Sequence, residues 1–306
     1  MDRTLPRAAA LGTGEDTGLR RAVDRRGLLV FALIAYAIFW TLAIVAFIGI
    51  EAGTIDPDGA FVGIATTVAP AAPLFAALIV LSITHGRAGL TRLWRSMVQW
   101  RVDPRWYVFV FIGIPLVMTA AVLILTGAAG LAALVANADV VLAQLPLAIL
   151  SIAVFTGIAE EPGWRGYAQP WANRRYSPLI AALIVSTIWA VWHLPNALFN
   201  ETAVSAAIHV VVTAINGVVL AWMYNSTRGS VFIVILAHGA INAMGGLYTS
   251  ALADTGVGVD RVPYYLLSIL AFGLIAAIVV VMTRGRLGMP DAADEQSAFS
   301  VRASNR

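Results

Sequence analysis

Eight stretches of at least 20 residues pass through this 306-residue chain without one Asp, Glu, Lys or Arg. A run of about 20 such residues is what an α-helix needs to cross the hydrocarbon core of a bilayer. Inside that core a backbone finds no water for its N–H and C=O groups, and a helix satisfies them within the segment itself. The runs are Leu28–Ile50, Phe61–Thr84, Tyr107–Ala138, Val140–Ala159, Ser177–Asn200, Thr202–Thr227, Gly229–Ala253 and Val262–Thr283. With 59% hydrophobic and only 12% charged residues, the chain is excluded from the ordinary water-soluble domains, in which roughly a quarter of residues are charged. The expected fold class is therefore all-α, a polytopic integral membrane protein of about eight transmembrane helices.

The charges between the runs give the orientation. The chain has no Lys, and of its 20 Arg, 19 fall before the first run or after every second one, leaving Arg261 alone on the other face. Glu51, Asp56, Asp58, Asp139, Glu201, Asp254 and Asp260 lie on that other face. The positive-inside rule makes the Arg-rich face cytoplasmic and, with an even number of crossings, puts both termini there. Residues 1–26 and 287–306 read as polar cytoplasmic tails without apolar periodicity, and 27–286 as one membrane domain. Between the second and third runs, Leu90, Leu93, Trp94, Met97 and Val98 recur at helical spacing beside Arg92, Arg95 and Arg101. That pattern predicts a helix in the cytoplasmic interface, with Trp94, Trp100 and Trp106 at the depth indole prefers.

The absence of Cys removes disulfides, thiolate nucleophiles and thiolate metal sites from consideration. A functional site must be sought among ionisable groups in the apolar runs, each of which costs at least about 2.5 kcal/mol on insertion scales and needs compensation. Few qualify. In Glu160-Glu161-Pro162-Gly163-Trp164-Arg165 the adjacent carboxylates point to different helix faces, and Arg165 follows Glu161 at i,i+4, a favourable pairing. This leaves Glu160 free to face a cavity, and Pro162, which has no backbone N–H, loosens the helix there. Trp189 and His193 lie one turn apart before Pro195. His238 and Asn242 share a helix face, and Gly239 permits close helix approach. Each element alone has an ordinary structural explanation. A Glu, two His and an Asn from three membrane helices together supply a base and hydrogen-bond donors.

These residues resemble the CPBP intramembrane proteases, also called the CAAX-protease and bacteriocin-processing or Abi family, which includes the Rce1-type CAAX prenyl endopeptidases. The family's Glu-Glu-x-x-x-Arg, aromatic-x-x-x-His and His-x-x-x-Asn motifs are matched in order and spacing by Glu160/Glu161/Arg165, Trp189/His193 and His238/Asn242. The one departure is Trp189, where Phe is commoner. The resemblance covers roughly residues 146–246.

The resemblance implies a plasma-membrane endopeptidase that hydrolyses a bond of a membrane-associated protein or peptide in a cavity open toward the cytoplasm. It makes Glu160 the general base and His193 its partner in holding the water. His238 and Asn242 become donors to the oxyanion, and Glu161, Arg165 and Trp189 become supporting residues. Glu160, His193 and His238 are also an adequate zinc set, with Glu161 then the base. With no His-Glu-x-x-His helix and with Asn a poor zinc ligand, the metal-free version is preferred. A non-proteolytic scaffold or bacteriocin-immunity protein of the same family is the alternative function, and a proton-coupled transporter a third, although no repeat is visible. The lipid bilayer and the substrate are the partners expected, and nucleic acid is not. Oligomeric state and substrate are not encoded. His85 and His209 match no motif; His85 reads as interfacial and His209 as lining the cavity or bonding a neighbouring helix. Asp139 and Glu201 read as solvated loop charges. One difficulty stands: counted from the starts of their runs, His238 lies about 14 Å up its helix and His193 about 24 Å up its own.

Overall fold

Hydrocarbon leaves backbone polar groups no partner but one another, and the apolar runs are accordingly helical. The computed structural model describes residues 16–253 and 261–290. After α1 (Asp16–Arg25) come α2 (Gly27–Glu51), α3 (Ala60–Met97), α4 (Arg105–Ala136), α5 (Ala138–Asn173), α6 (Pro178–Trp192), α7 (Leu194–Asn200), α8 (Ala203–Ser226), α9 (Val231–Ala253) and α10 (Arg261–Met282). Among the described residues no strand occurs. Six helices are long and apolar enough to cross a membrane, and α6 with α7 makes a seventh if that bent pair is one span. The apolar described part of α9, Val231–Gly246, is shorter than a full crossing. The molecule is a multi-pass integral membrane protein.

Two sequence expectations change at the Arg-rich end. Residues 16–25, read as part of a tail, form α1, and its Asp24 carbonyl accepts from Trp171 Nε1 at 3.1 Å. Trp106, expected at the interface, is buried and meets Trp222 edge-on at 4.9 Å. The interfacial helix does diverge from its span: α3 breaks at Gly86, whose φ of 55° suits glycine, while Trp94 is exposed beyond it. The parts of the two tails at 1–15 and 291–306 lie outside the described residues.

Helices in lipid associate through close packing, and small residues let their backbones approach. A Cβ on Gly239 of α9 would stand 2.6 Å from the Ile149 carbonyl oxygen of α5, and one on Gly217 of α8 would stand 2.3 Å from Ser186 Oγ of α6. Gly163 is the least forgiving, since its Cβ would lie 2.4 Å from the oxygen of Pro73, a backbone atom that cannot rotate away as a side chain can. Gly163→Ala should therefore lower stability by about 1–3 kcal/mol, the usual cost of overpacking. Gly63→Ala, where nothing lies within 4 Å, serves as the control in thermal unfolding of the detergent-solubilised protein.

Candidate active site

Helix α5 changes its winding around the carboxylate pair. Wide π-helical turns at Ala153–Gly157 and Trp164–Ala168 bracket an α-helical segment, Ile158–Gly163, that carries Glu160 and Glu161. Pro162 contributes by lacking the N–H that would bond back along the helix, and π-turns are a common accompaniment of functional sites. Both carboxylates are buried, and they face different partners.

Glu161 accepts from Arg165 Nη1 at 3.0 Å to each oxygen and from His238 Nδ1 at 2.7 Å. The guanidinium, fully buried, also donates from Nη2 to the Gly217 carbonyl at 3.3 Å and lies 4.6 Å from the centre of the Trp189 ring. The expected Glu161–Arg165 pair is thus present, and it extends to His238, a link between motifs that spacing alone did not suggest.

Glu160 is held by Trp189, whose Nε1 donates to Oε2 at 2.8 Å. His193 Nε2 stands 4.0 Å from the same oxygen. Helix α6 stops just before His193 because Pro195 cannot supply the next backbone donor, and α7 leaves at 40°. His193 Nδ1 lies 3.0 Å from the Trp189 carbonyl oxygen, which can only accept. Nδ1 therefore carries a proton, and in the neutral ring Nε2 presents a lone pair toward Glu160. The difference in depth counted from the run starts disappears in the fold: Trp189 touches both imidazoles, with ring centres 5.4 Å from His193 and 5.6 Å from His238.

Glu160, His193, His238 and Asn242 all line one cavity of about 920 Å³, and Glu161 and Arg165 stand behind its wall. Asn242 is exposed to this space. The lining from the second and third helices is largely apolar, with Phe39, Leu42, Phe47, Ile50 and Val62.

Two other His residues separate here. His85 bonds Thr84 Oγ1 at 2.7 Å and does not reach the cavity. His209 lines it, its ring 5.9 Å from that of His193, with Nδ1 3.1 Å from Glu201 Oε1. Glu201 corrects the sequence analysis. It is not a solvated loop charge: its side chain is 5% exposed and accepts from Ser205 Oγ and from Tyr265 OH, the latter at 3.0 Å. Burial alone would raise its carboxyl, but the hydrogen bonds from Ser205, His209 and Tyr265 outweigh it and hold the group below the usual carboxylate range. Asp139 is exposed as expected.

Among the described residues no three His, Asp or Glu side chains are grouped as a metal set, so the zinc version finds no ready cluster there.

Residues 142–244 match the family described as Type II CAAX prenyl endopeptidase Rce1-like. Over these residues the chain is similar to the Rce1-like endopeptidases. A curated relative, CAAX prenyl protease 2 of Methanococcus maripaludis, is 27% identical over 103 residues, 31% of this chain and 38% of that protein. The matched part thus spans less than two fifths of the relative's length. All seven motif residues lie inside this matched core, as does His209, whereas Tyr265 and the apolar wall from α2 lie outside it.

Within this core, Trp189 is both a donor and a spacer. Trp189→Phe keeps the ring between the imidazoles but strips Glu160 of its N–H partner. It should cost about 1.5–3 kcal/mol, the worth of a hydrogen bond to a charged group. Trp189→Ala, which also empties the ring's volume, should cost about 3–5 kcal/mol. Equilibrium unfolding in detergent separates the two.

Proposed function

We propose that the protein is an intramembrane endopeptidase in which Glu160 and His193 share the attacking water. The observation that carries this is the 4.0 Å gap between Glu160 Oε2 and His193 Nε2 at the floor of the cavity. Both atoms are acceptors, so one water placed between them donates a hydrogen to each and turns a lone pair outward to a scissile carbonyl. As the oxygen attacks, Glu160 takes the proton. When the tetrahedral intermediate collapses, the C–N bond breaks and Glu160 returns that proton to the leaving amine.

His238 and Asn242 supply the counterpart. The side-chain amide of Asn242 is a donor exposed to the cavity. His238 has Nδ1–H committed to Glu161, so donation to an oxyanion falls to Nε2 and requires the imidazolium form. Glu161 and Arg165 hold that ring in orientation, the role usual for groups behind a working imidazole. The cytoplasmic placement of both termini belongs to the same reading, from the Arg distribution, and residence in the plasma membrane goes with it as part of the proposal.

The test is a comparison by mass spectrometry of membrane-peptide termini in cells producing the wild type or Glu160→Gln at matched levels. Termini that vanish in the variant support proteolysis and name the substrate. Identical profiles with an undiminished wild-type phenotype in the variant would replace the protease by a scaffold or immunity protein.

A further inference from the structure

We infer that the cavity opens on the membrane face opposite the Arg-rich loops, so that the bond it takes belongs to the extracytoplasmic part of a membrane-anchored or exported polypeptide. This departs from the cytoplasmic opening that the family resemblance led us to expect.

The direction follows from which end of each helix the cavity touches. Helix α2 enters the membrane after Arg25 and Arg26, and its cavity residues run from Phe39 to Ile50, the far half of the helix. That stretch is about 17 Å long at 1.5 Å per residue. Helix α3 begins after the acidic loop bearing Asp56 and Asp58, and it contributes only Val62 to Pro70, its first turns. Helix α10 contributes Tyr264 to Phe272, again its first turns, and Glu201 sits where α7 gives way to α8. Four helices therefore give the cavity the ends that lie away from the Arg loops.

The Arg-side end is filled. Trp164, Tyr167, Trp171 and Leu93 are buried there, and a Cβ on Gly27 would come within 2.4 Å of Tyr167 OH. Ser230 Oγ donates to the Gln99 carbonyl at 2.7 Å, and Gln99 Nε2 donates to the Thr227 carbonyl at 3.0 Å, which ties two Arg-side loops together. A peptide on that side meets packed aromatic side chains. A peptide on the other side finds an apolar wall at Phe47, Ile50 and Val62 facing polar groups at His209 and Glu201, which suits an extended segment with apolar side chains.

The consequence for substrate rests on the protease reading, but the orientation is measured without it. The chain has no cysteine, so single cysteines report cleanly. Asp58→Cys marks the acidic loop, Arg174→Cys the Arg-rich loop and Asn196→Cys the cavity itself, and all three positions are exposed. Labelling with a membrane-impermeant maleimide should modify Asp58→Cys and Asn196→Cys in intact cells, and Arg174→Cys only after permeabilisation. Labelling of Arg174→Cys in intact cells, or loss of Asn196→Cys labelling where Asp58→Cys reacts, overturns the inference. Either result leaves the Glu160→Gln comparison of termini to decide proteolysis by itself.

Discussion

Glu160→Gln should lower the rate of peptide-bond cleavage by about 10²–10⁴-fold, the range a positioned general base contributes. The amide keeps the volume of the carboxylate and leaves an oxygen for the Trp189 N–H, so folding and thermal stability should be nearly unchanged. What is lost is the ability to take a proton from water. His193→Gln should reduce the rate less, because in the proposed mechanism His193 orients the water and does not receive its proton. Single-turnover cleavage of the substrate identified from the membrane termini reads both effects, and a Glu160→Gln enzyme with wild-type rate ends the assignment of Glu160 as base.

The second large effect is on folding. Arg165→Met leaves the Glu161 carboxylate buried, with His238 as its remaining polar partner. Breaking a buried pair from one side typically costs about 3–5 kcal/mol, because an uncompensated charge stays behind. We expect poor yield and a strongly lowered midpoint of thermal unfolding for this variant. The double replacement Glu161→Gln with Arg165→Met removes both charges and should recover much of the loss, since a neutral amide still meets His238. If the double variant is no more stable than the single one, the penalty comes from lost packing of the guanidinium on Trp189 and not from charge.

The membrane helices were legible because hydrocarbon imposes a length and an apolar composition that few other folds share. The motif residues were legible through order and spacing, and the i,i+4 rule correctly paired Glu161 with Arg165. Spacing within a helix could not reveal which side chains meet across helices. The bond from His238 to Glu161 joins residues 77 apart, and that from Trp189 to Glu160 joins residues 29 apart. Glu201 was misjudged for the same reason. At the end of an uncharged run it looks like a loop charge, and its partner Tyr265 comes 64 residues later. The apparent mismatch in depth between His193 and His238 arose from treating run starts as one plane, which helices of unequal extension do not respect.

The two wide turns of α5 make the catalytic geometry a matter of phase. A residue added to or removed from an α-helix rotates everything beyond it by about 100°. Glu160 and Glu161 are adjacent, so their directions differ by that same angle. A wide turn holds about one residue more than an ordinary turn over the same rotation, so Ala153–Gly157 takes up an extra residue without turning Glu160 away from the cavity. Deleting one residue there and restoring ordinary winding leaves both carboxylates facing as before, whereas the same deletion in an ordinary turn moves Glu161 into the direction Glu160 held. The π-turns work as a clutch between the outer part of α5 and its carboxylates, so a single-residue deletion there disturbs the site less than one in the neighbouring α-helical turns.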